Sequence, residues 1–431
     1  MSTAVKTDFA QQLLAHFEER LPALYGDRNL RKNAADFFAA TGFPTRRTED
    51  YKYIAPDTLF KKSYGFRNEQ ARNVTADDVA KLSLAKGGFV FVIVNGVFAP
   101  GLSSKKTLPK GITVMSLAEA MEKNEAAKKH YGKYAAGPDA FISLNTALNE
   151  GGVFVHIAKG AVSEEPLHLL HITDNETEAF FQPRNLVVSE ENSEATIIES
   201  FESIGPVRSF TNALTELAVA DHARLHHYRL QWESETGHLL NTTQAGLGAN
   251  SLYNTYTFTL GGAWVRNNLN IVLGGKNGEA HLFGLYLPSG NQVVDNHTVV
   301  DHTVPNCMSN ELYKGVLNGK SLAVFNGKIF VRPDAQKTNA FQTNRNILLS
   351  DDASMNTKPQ LEIYADDVKC SHGTSTGRID EDALFYLRAR GVKEENARRL
   401  LIRAFAEEVV AQVKIDAIRE TVESRIDELL K

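Results

Sequence analysis

The chain has 431 residues, 42% hydrophobic and 23% charged, with a net charge of -5. That length leaves room for about three domains with real cores, and the acidic balance argues against the basic surface that nucleic-acid binding requires. Two cysteines, Cys307 and Cys370, are too few for a disulfide framework and fit a reducing compartment. The longest clean apolar run, Phe89 to Val94, falls far short of the ~20 residues that cross a bilayer.

The opening MSTAVKTDFAQQ lacks the basic flank and apolar core of a leader, so a cytoplasmic protein without nucleic acid or membrane among its partners is expected. Phe9, Leu13, Leu14, Phe17 and Leu21 recur at helical spacing. A second helix is predicted over Asn29 to Ala40, stopping at Gly42. Phe43 to Lys62 is basic and aromatic, which reads as a loop whose tyrosines pack down or as a binding patch. Asn95-Gly96 predicts a tight hairpin turn inside Gly88 to Pro100. Ser116 to Tyr134 is polar and helical, and Gly137-Pro138 closes the first domain.

From Phe141 to about Tyr364, short strand-like runs alternate with turns rich in Gly, Asn and Asp, and no helix of normal length is expected. A small residue after a polar turn recurs at Ala195, Ala223, Ser251, Ala280, Ser321 and Ala353, in steps of 28, 28, 29, 41 and 32 residues. Near-equal steps in an all-β chain predict a solenoid of parallel coils rather than an antiparallel sandwich. The long step suggests an insertion loop at Asn296 to Cys307, which carries His297, His302 and Cys307 as secondary metal candidates.

Two textures meet between Pro359 and Gly391. Leu361, Ile363 and Ala365 alternate as in a strand, and a helix then opens at Asp380, runs through Ala383, Leu384 and Leu387, and stops at Gly391. Between them stand Lys369, Cys370 and His372. Two residues apart in an extended segment, Cys370 and His372 point to one side, where thiolate and imidazole can face one metal, with Lys369 favouring the thiolate. Two more helices follow, with apolar stripes Leu400, Leu401, Phe405, Val409 and Ile415, Ile418, Val422, Ile426, Leu429, read as a cover for the last coil.

ADDVKCSHG, FYLRARGV, AVFNGKIFV and TKPQLEIYADD closely resemble the SufD family, one branch of the SufB/SufD superfamily of iron-sulfur cluster assembly. The match is strong from about Asn310 to Ala406, and the Phe43 to Lys62 segment resembles SufD more than the paralogue SufB. The resemblance implies a right-handed parallel β-helix core over residues 141–372, between an N-terminal helical and mixed domain (1–140) and a C-terminal helical domain (373–431). It implies a non-catalytic scaffold in a complex with SufB and the ATPase SufC, with a transient iron-sulfur cluster shared with SufB at His372 and Cys370. SufC docking is expected on the last domain, at Asp380, Leu384, Phe385, Tyr386, Leu387 and Arg390. A flavin in the complex and a homodimer of the isolated chain stay open.

Gly315 to Ser321 ends like a phosphate-binding loop but has one residue too few between its glycines and leads into a strand, so no ATP site of its own is expected. A β-helix also fits a polysaccharide lyase or hydrolase, whose clustered acids are hard to find among the turn pairs Glu190-Glu191 and Asp351-Asp352. His222 and His226, four apart in a strand, would share a face and could hold one metal.

Overall fold

The computed structural model describes residues 7–66, 73–135, 137 and 139–429, the last of these by its backbone alone. Pro138 of the expected domain boundary, the side chain of Leu429 and the first six residues lie outside that description. The core is a parallel β-solenoid in which each coil lays one strand in each of two facing sheets. The first sheet runs from the hairpin strands Val97–Phe98 and Phe89–Val94 through Leu167–Asp174, Glu194–Ile204, Arg224–Trp232, Leu252–Thr259, Glu279–Tyr286, Met308–Leu317 and Asn339–Leu348 to Lys369–Gly377. The second runs from Ile112–Ser116 through Val153–Ile157, Arg184–Ser189, Ser209–Val219, Gly237–Leu247, Trp264–Leu273, Val293–His302 and Leu322–Val331 to Ser354–Ile363.

One corner repeats from coil to coil. Asn192, His222, Asn250, Asn277, Asn306 and Lys337 all adopt positive φ, 27 to 31 residues apart. Each donates its backbone N–H to a carbonyl of the following coil, from Asn192 N to Asp221 O through Lys337 N to Asp367 O. Asparagine tolerates this left-handed turn better than other side-chain-bearing residues, and Asn277 Nδ2 donates to Asn250 Oδ1 at 2.9 Å.

This regular corner corrects the uneven period read from the sequence. Ser321 and Ala353 precede strands of the second sheet, whereas Ala195, Ala223, Ser251 and Ala280 belong to the first, so the step of 41 residues mixes two corners. Asn296 to Cys307 is therefore no insertion. It is the strand Val293–His302 and the turn after it. His222 lies in the corner turn and not in a strand, so it shares no strand face with His226.

A helix does occur where none was expected, at Ala140–Leu148. Asp139 caps it by accepting from Phe141 N and Ile142 N, and every residue of the helix is buried between the N-terminal helices and the second sheet. The expected helices are present at Asp8–Arg20 and Arg28–Thr41, capped by Thr7 and Asp27. The segment Ser116 to Tyr134 instead splits into Leu117–Lys123 and Glu125–His130 at Asn124, whose side chain caps the second piece. The aromatics of the Phe43 to Lys62 segment mostly pack inward: Phe43, Tyr51 and Phe60 join Phe9, Phe38, Phe141, Phe180 and Phe210 in one cluster.

Behind that cluster, Arg184 and Glu216 form a fully buried ion pair at 2.6 Å, and Glu216 also accepts from the backbone N–H groups of Gly132, Tyr134 and Ala135. Breaking such a pair by removing one partner typically costs about 3–5 kcal/mol, so it pins the 131–135 segment to the sheet.

The last two helices, Glu394–Val410 and Asp416–Leu429, do not cover the last coil as expected. Their buried Ile402, Ala406, Val409, Val410, Ile418, Val422 and Ile426 pack on the outer face of the first sheet, against Tyr228, Leu230, Tyr256, Phe258, Leu285 and Val316. That face alternates apolar outward as well as inward, and two amphipathic helices bury it. Sheet pairing also crosses residue 140, since Phe89–Val94 pairs in parallel with Leu167–Asp174, and the last strand runs on to Gly377. Among the described residues no helix is long and apolar enough to cross a membrane.

Candidate functional site

Strand pairing in register stacks side chains into columns that run the length of the lumen. In the first sheet one column reads Ala195, Leu225, Tyr253, Ala280, Ser309, Ala340, Cys370. The next reads Ile197, His227, Thr255, Leu282, Glu311, Gln342, His372. Cys370 and His372 are thus the last rungs of adjacent columns, in a strand that among the described residues pairs with Asn339–Leu348 alone. The final strand of the second sheet, Ser354–Ile363, likewise pairs only with Leu322–Val331, so this end of the solenoid is open among the described residues.

Alternation sends Cys370, His372, Thr374 and Thr376 toward the lumen side, as the bond from Asn346 Nδ2 to Thr376 Oγ1 at 3.4 Å confirms. Cys370 packs beside Ile329, Val331, Ala335, Ala340 and Ala365 and is half-buried, while His372 is exposed. Burial pushes the Cys370 thiol up, and only a backbone hydrogen bond with Ala340 opposes it. The help expected from Lys369 is opposed by geometry: neighbours in a strand point to opposite sides, and the thiol's pKa is raised, not lowered. Cys370 and His372 supply two donors of types that suit iron, and among the described residues no third donor joins them.

The secondary candidates do not converge. His297 and His302 are five residues apart in one strand and so face opposite ways. His297 sits on the outer face against Asp295 at 2.9 Å, beside the buried Arg266, and burial holds its pKa down. His302 faces the lumen, bonded to Ser309 Oγ at 2.9 Å, and burial lowers its pKa to about 4. Cys307 is wholly buried at the corner, donating to Gly275 O at 3.4 Å, and burial raises its thiol. Among the described residues no three His, Cys, Asp or Glu side chains gather as a metal site would require.

Sequence reasoning passed over the carboxyl groups of the lumen. Glu199 is fully buried with His171 and His227. Burial works to raise its pKa, but hydrogen bonds and charge from the two histidines hold it well below the usual range. Nearer the open end, Glu311 accepts from Gln342 Nε2 at 2.7 Å, and burial pushes it up to about 7. Their signal was there: polar residues at inward positions of otherwise apolar strands, legible only once register is known.

The helix Glu381–Ala389 is capped by Asp380 as expected, through Asp382 N and Ala383 N, and Gly391 takes the positive φ that ends it. Leu384 is buried and Leu387 half-buried, whereas Phe385 is 72% and Tyr386 58% exposed, with Arg390 over the Tyr386 ring at 5.1 Å.

Fold and site together define a two-sheet parallel solenoid with a thiol and an imidazole at an uncovered end and a helical flank bearing exposed aromatics. The chain belongs to the SufBD family of iron-sulfur cluster assembly proteins: the SufBD core domain of the SUF system matches residues 171–405, and the SufBD N-terminal region matches residues 11–169. It is 33% identical to the iron-sulfur cluster assembly protein SufD of Escherichia coli over 394 residues, 90% of each chain. It is 33% identical to an iron-sulfur cluster assembly SufBD family protein of Synechocystis over 401 residues, 91% of this chain and 88% of the relative. It is 28% identical to the chloroplastic protein ABCI7 of Arabidopsis thaliana over 440 residues, 98% and 91% of the two chains.

Membership overturns the polysaccharide lyase or hydrolase alternative, and the acid pairs agree. Glu190 binds His156 and Glu191 binds Lys159 at the surface, while Asp351 pairs with Arg378.

Proposed function

We propose that this chain is the SufD-type scaffold of a complex with a SufB-type paralogue and a SufC-type ATPase, and that its open solenoid end pairs with the paralogue around a nascent cluster. The carrying observation is the pair of uncovered final strands, Ser354–Ile363 and Lys369–Gly377, with Cys370 and His372 on the lumen side of the second. Edge strands left with free backbone groups are templates for another chain. The cluster or its iron is cargo, and Cys370 and His372 bind it jointly with donors of the paralogue. The exposed Phe385, Tyr386 and Arg390 on the rigid helix Glu381–Ala389 form the patch that takes the ATPase, with Asp380 and Leu384 fixing the helix and Leu387 at its rim. Catalysis of ATP hydrolysis belongs to the partner. Co-expression of the three proteins tests the assembly: the reading expects one stable complex, and recovery of this chain free of both partners contradicts it.

A further inference from the structure

Beneath His372 the column continues with Gln342 and then Glu311, each the register partner of the next. Gln342 is 1% and Glu311 2% exposed. The Gln342 amide is oriented: its Nε2 donates to Glu311 Oε2 at 2.7 Å. Across the lumen stands Gly327, where a Cβ would collide with that same amide nitrogen, so the space is kept for Gln342. The amide's other end is unused. Among the described residues Gln342 Oε1 is buried and has no hydrogen-bond partner, and a buried acceptor left unmatched is costly.

The one column neighbour on the open side is His372. Neighbouring parallel strands lie about 4.8 Å apart, within reach of a glutamine carbonyl and an imidazole N–H. A metal-binding imidazole must present one nitrogen's lone pair to the metal, and it is usually held by a carbonyl or carboxylate that accepts from the other nitrogen. We infer that Gln342, held in turn by Glu311, is the positioning residue for His372: Gln342 Oε1 accepts the inner ring N–H and leaves the outer nitrogen's lone pair turned to the open end. This rests on the role proposed for His372 and adds the residues that orient it.

The test reads the tautomer of His372 in the iron-free full chain by long-range 1H–15N correlation, with its signals assigned by their loss in His372→Ala. The expected result is one dominant neutral tautomer in the wild type, replaced by an exchanging mixture in Gln342→Leu. Glu311→Gln keeps an acceptor for Gln342 Nε2 and is expected to retain the wild-type tautomer. A role in packing alone would alter stability and leave the tautomer untouched.

An exchanging mixture already present in the wild type overturns the inference without any variant, whether or not Gln342→Leu folds. Because no iron is needed, this outcome is separable from failure of the cluster site itself, which is read from His372→Ala in the complex.

Discussion

Ala340 and Cys370 are register partners in adjacent strands, yet Ala340 is fully buried and Cys370 only half-buried. The difference is one missing coil. Every earlier rung of that column is covered by the next turn of the solenoid, and among the described residues no further strand lies beyond Cys370. Chemistry placed in the last rung is therefore available to a partner that continues the stack.

The two thiols should separate cleanly. Cys370 is expected to react with an alkylating reagent in the native chain, faster as pH rises because burial raises its pKa, while the wholly buried Cys307 reacts only after unfolding. Peptide mass spectrometry before and after adding the SufB-type partner reads both, and protection of Cys370 in the complex is expected. Equal native labelling of Cys307 would show that its corner turn opens.

Stability should carry a signature of two carboxyls where the solenoid meets its flanking helices. Burial and the nearby Glu233 raise Glu202 to about 8, and burial raises Glu233 to about 7, against a hydrogen bond from Ser203. Both folded values lie above the unfolded range near 4.3. Their stabilising contribution is thus full in acid and is lost as pH climbs through about 7 to 8. The Tm of Glu202→Gln/Glu233→Gln relative to wild type is expected to rise steadily from pH 5 to pH 8. A constant difference would mean that these groups ionise as they do in water.

Docking of the ATPase is better tested by point changes than by deletion. Removing everything after Gly377 would strip the outer face of the first sheet of Ile402, Val409, Ile418, Val422 and their neighbours, and the solenoid is not expected to survive it. Phe385→Ala with Tyr386→Ala removes exposed aromatics and should leave the fold intact while weakening ATPase binding at least tenfold, about 1.4 kcal/mol. Unchanged affinity by calorimetry would move the docking surface elsewhere.

Much of this organisation was legible in the sequence, for physical reasons that also mark the limits. The helix cap at Asp380, the helix stop at Gly42, the Asn95-Gly96 turn and the solenoid itself are local or periodic signals. The helix Ala140–Leu148 was lost among strands because it is short and buried on all sides, its polar Ser143, Asn145 and Thr146 included, so no solvated face marks its period. The insertion assigned to Asn296 to Cys307 failed because small residues precede strands at both corners, and spacing alone cannot tell the corners apart. Cys370 and His372 could be placed on one side from their spacing, but that the side is a lumen ending in Gln342 and Glu311 follows only from register.

Anaerobic cluster reconstitution on the co-purified three-protein complex, followed by visible absorption and Mössbauer spectroscopy, tests the central claim most directly. The account predicts that His372→Ala assembles into the complex normally and loses most of its cluster yield, with Cys370→Ala impaired less. A His372→Ala complex that builds clusters at the wild-type rate and yield would contradict it.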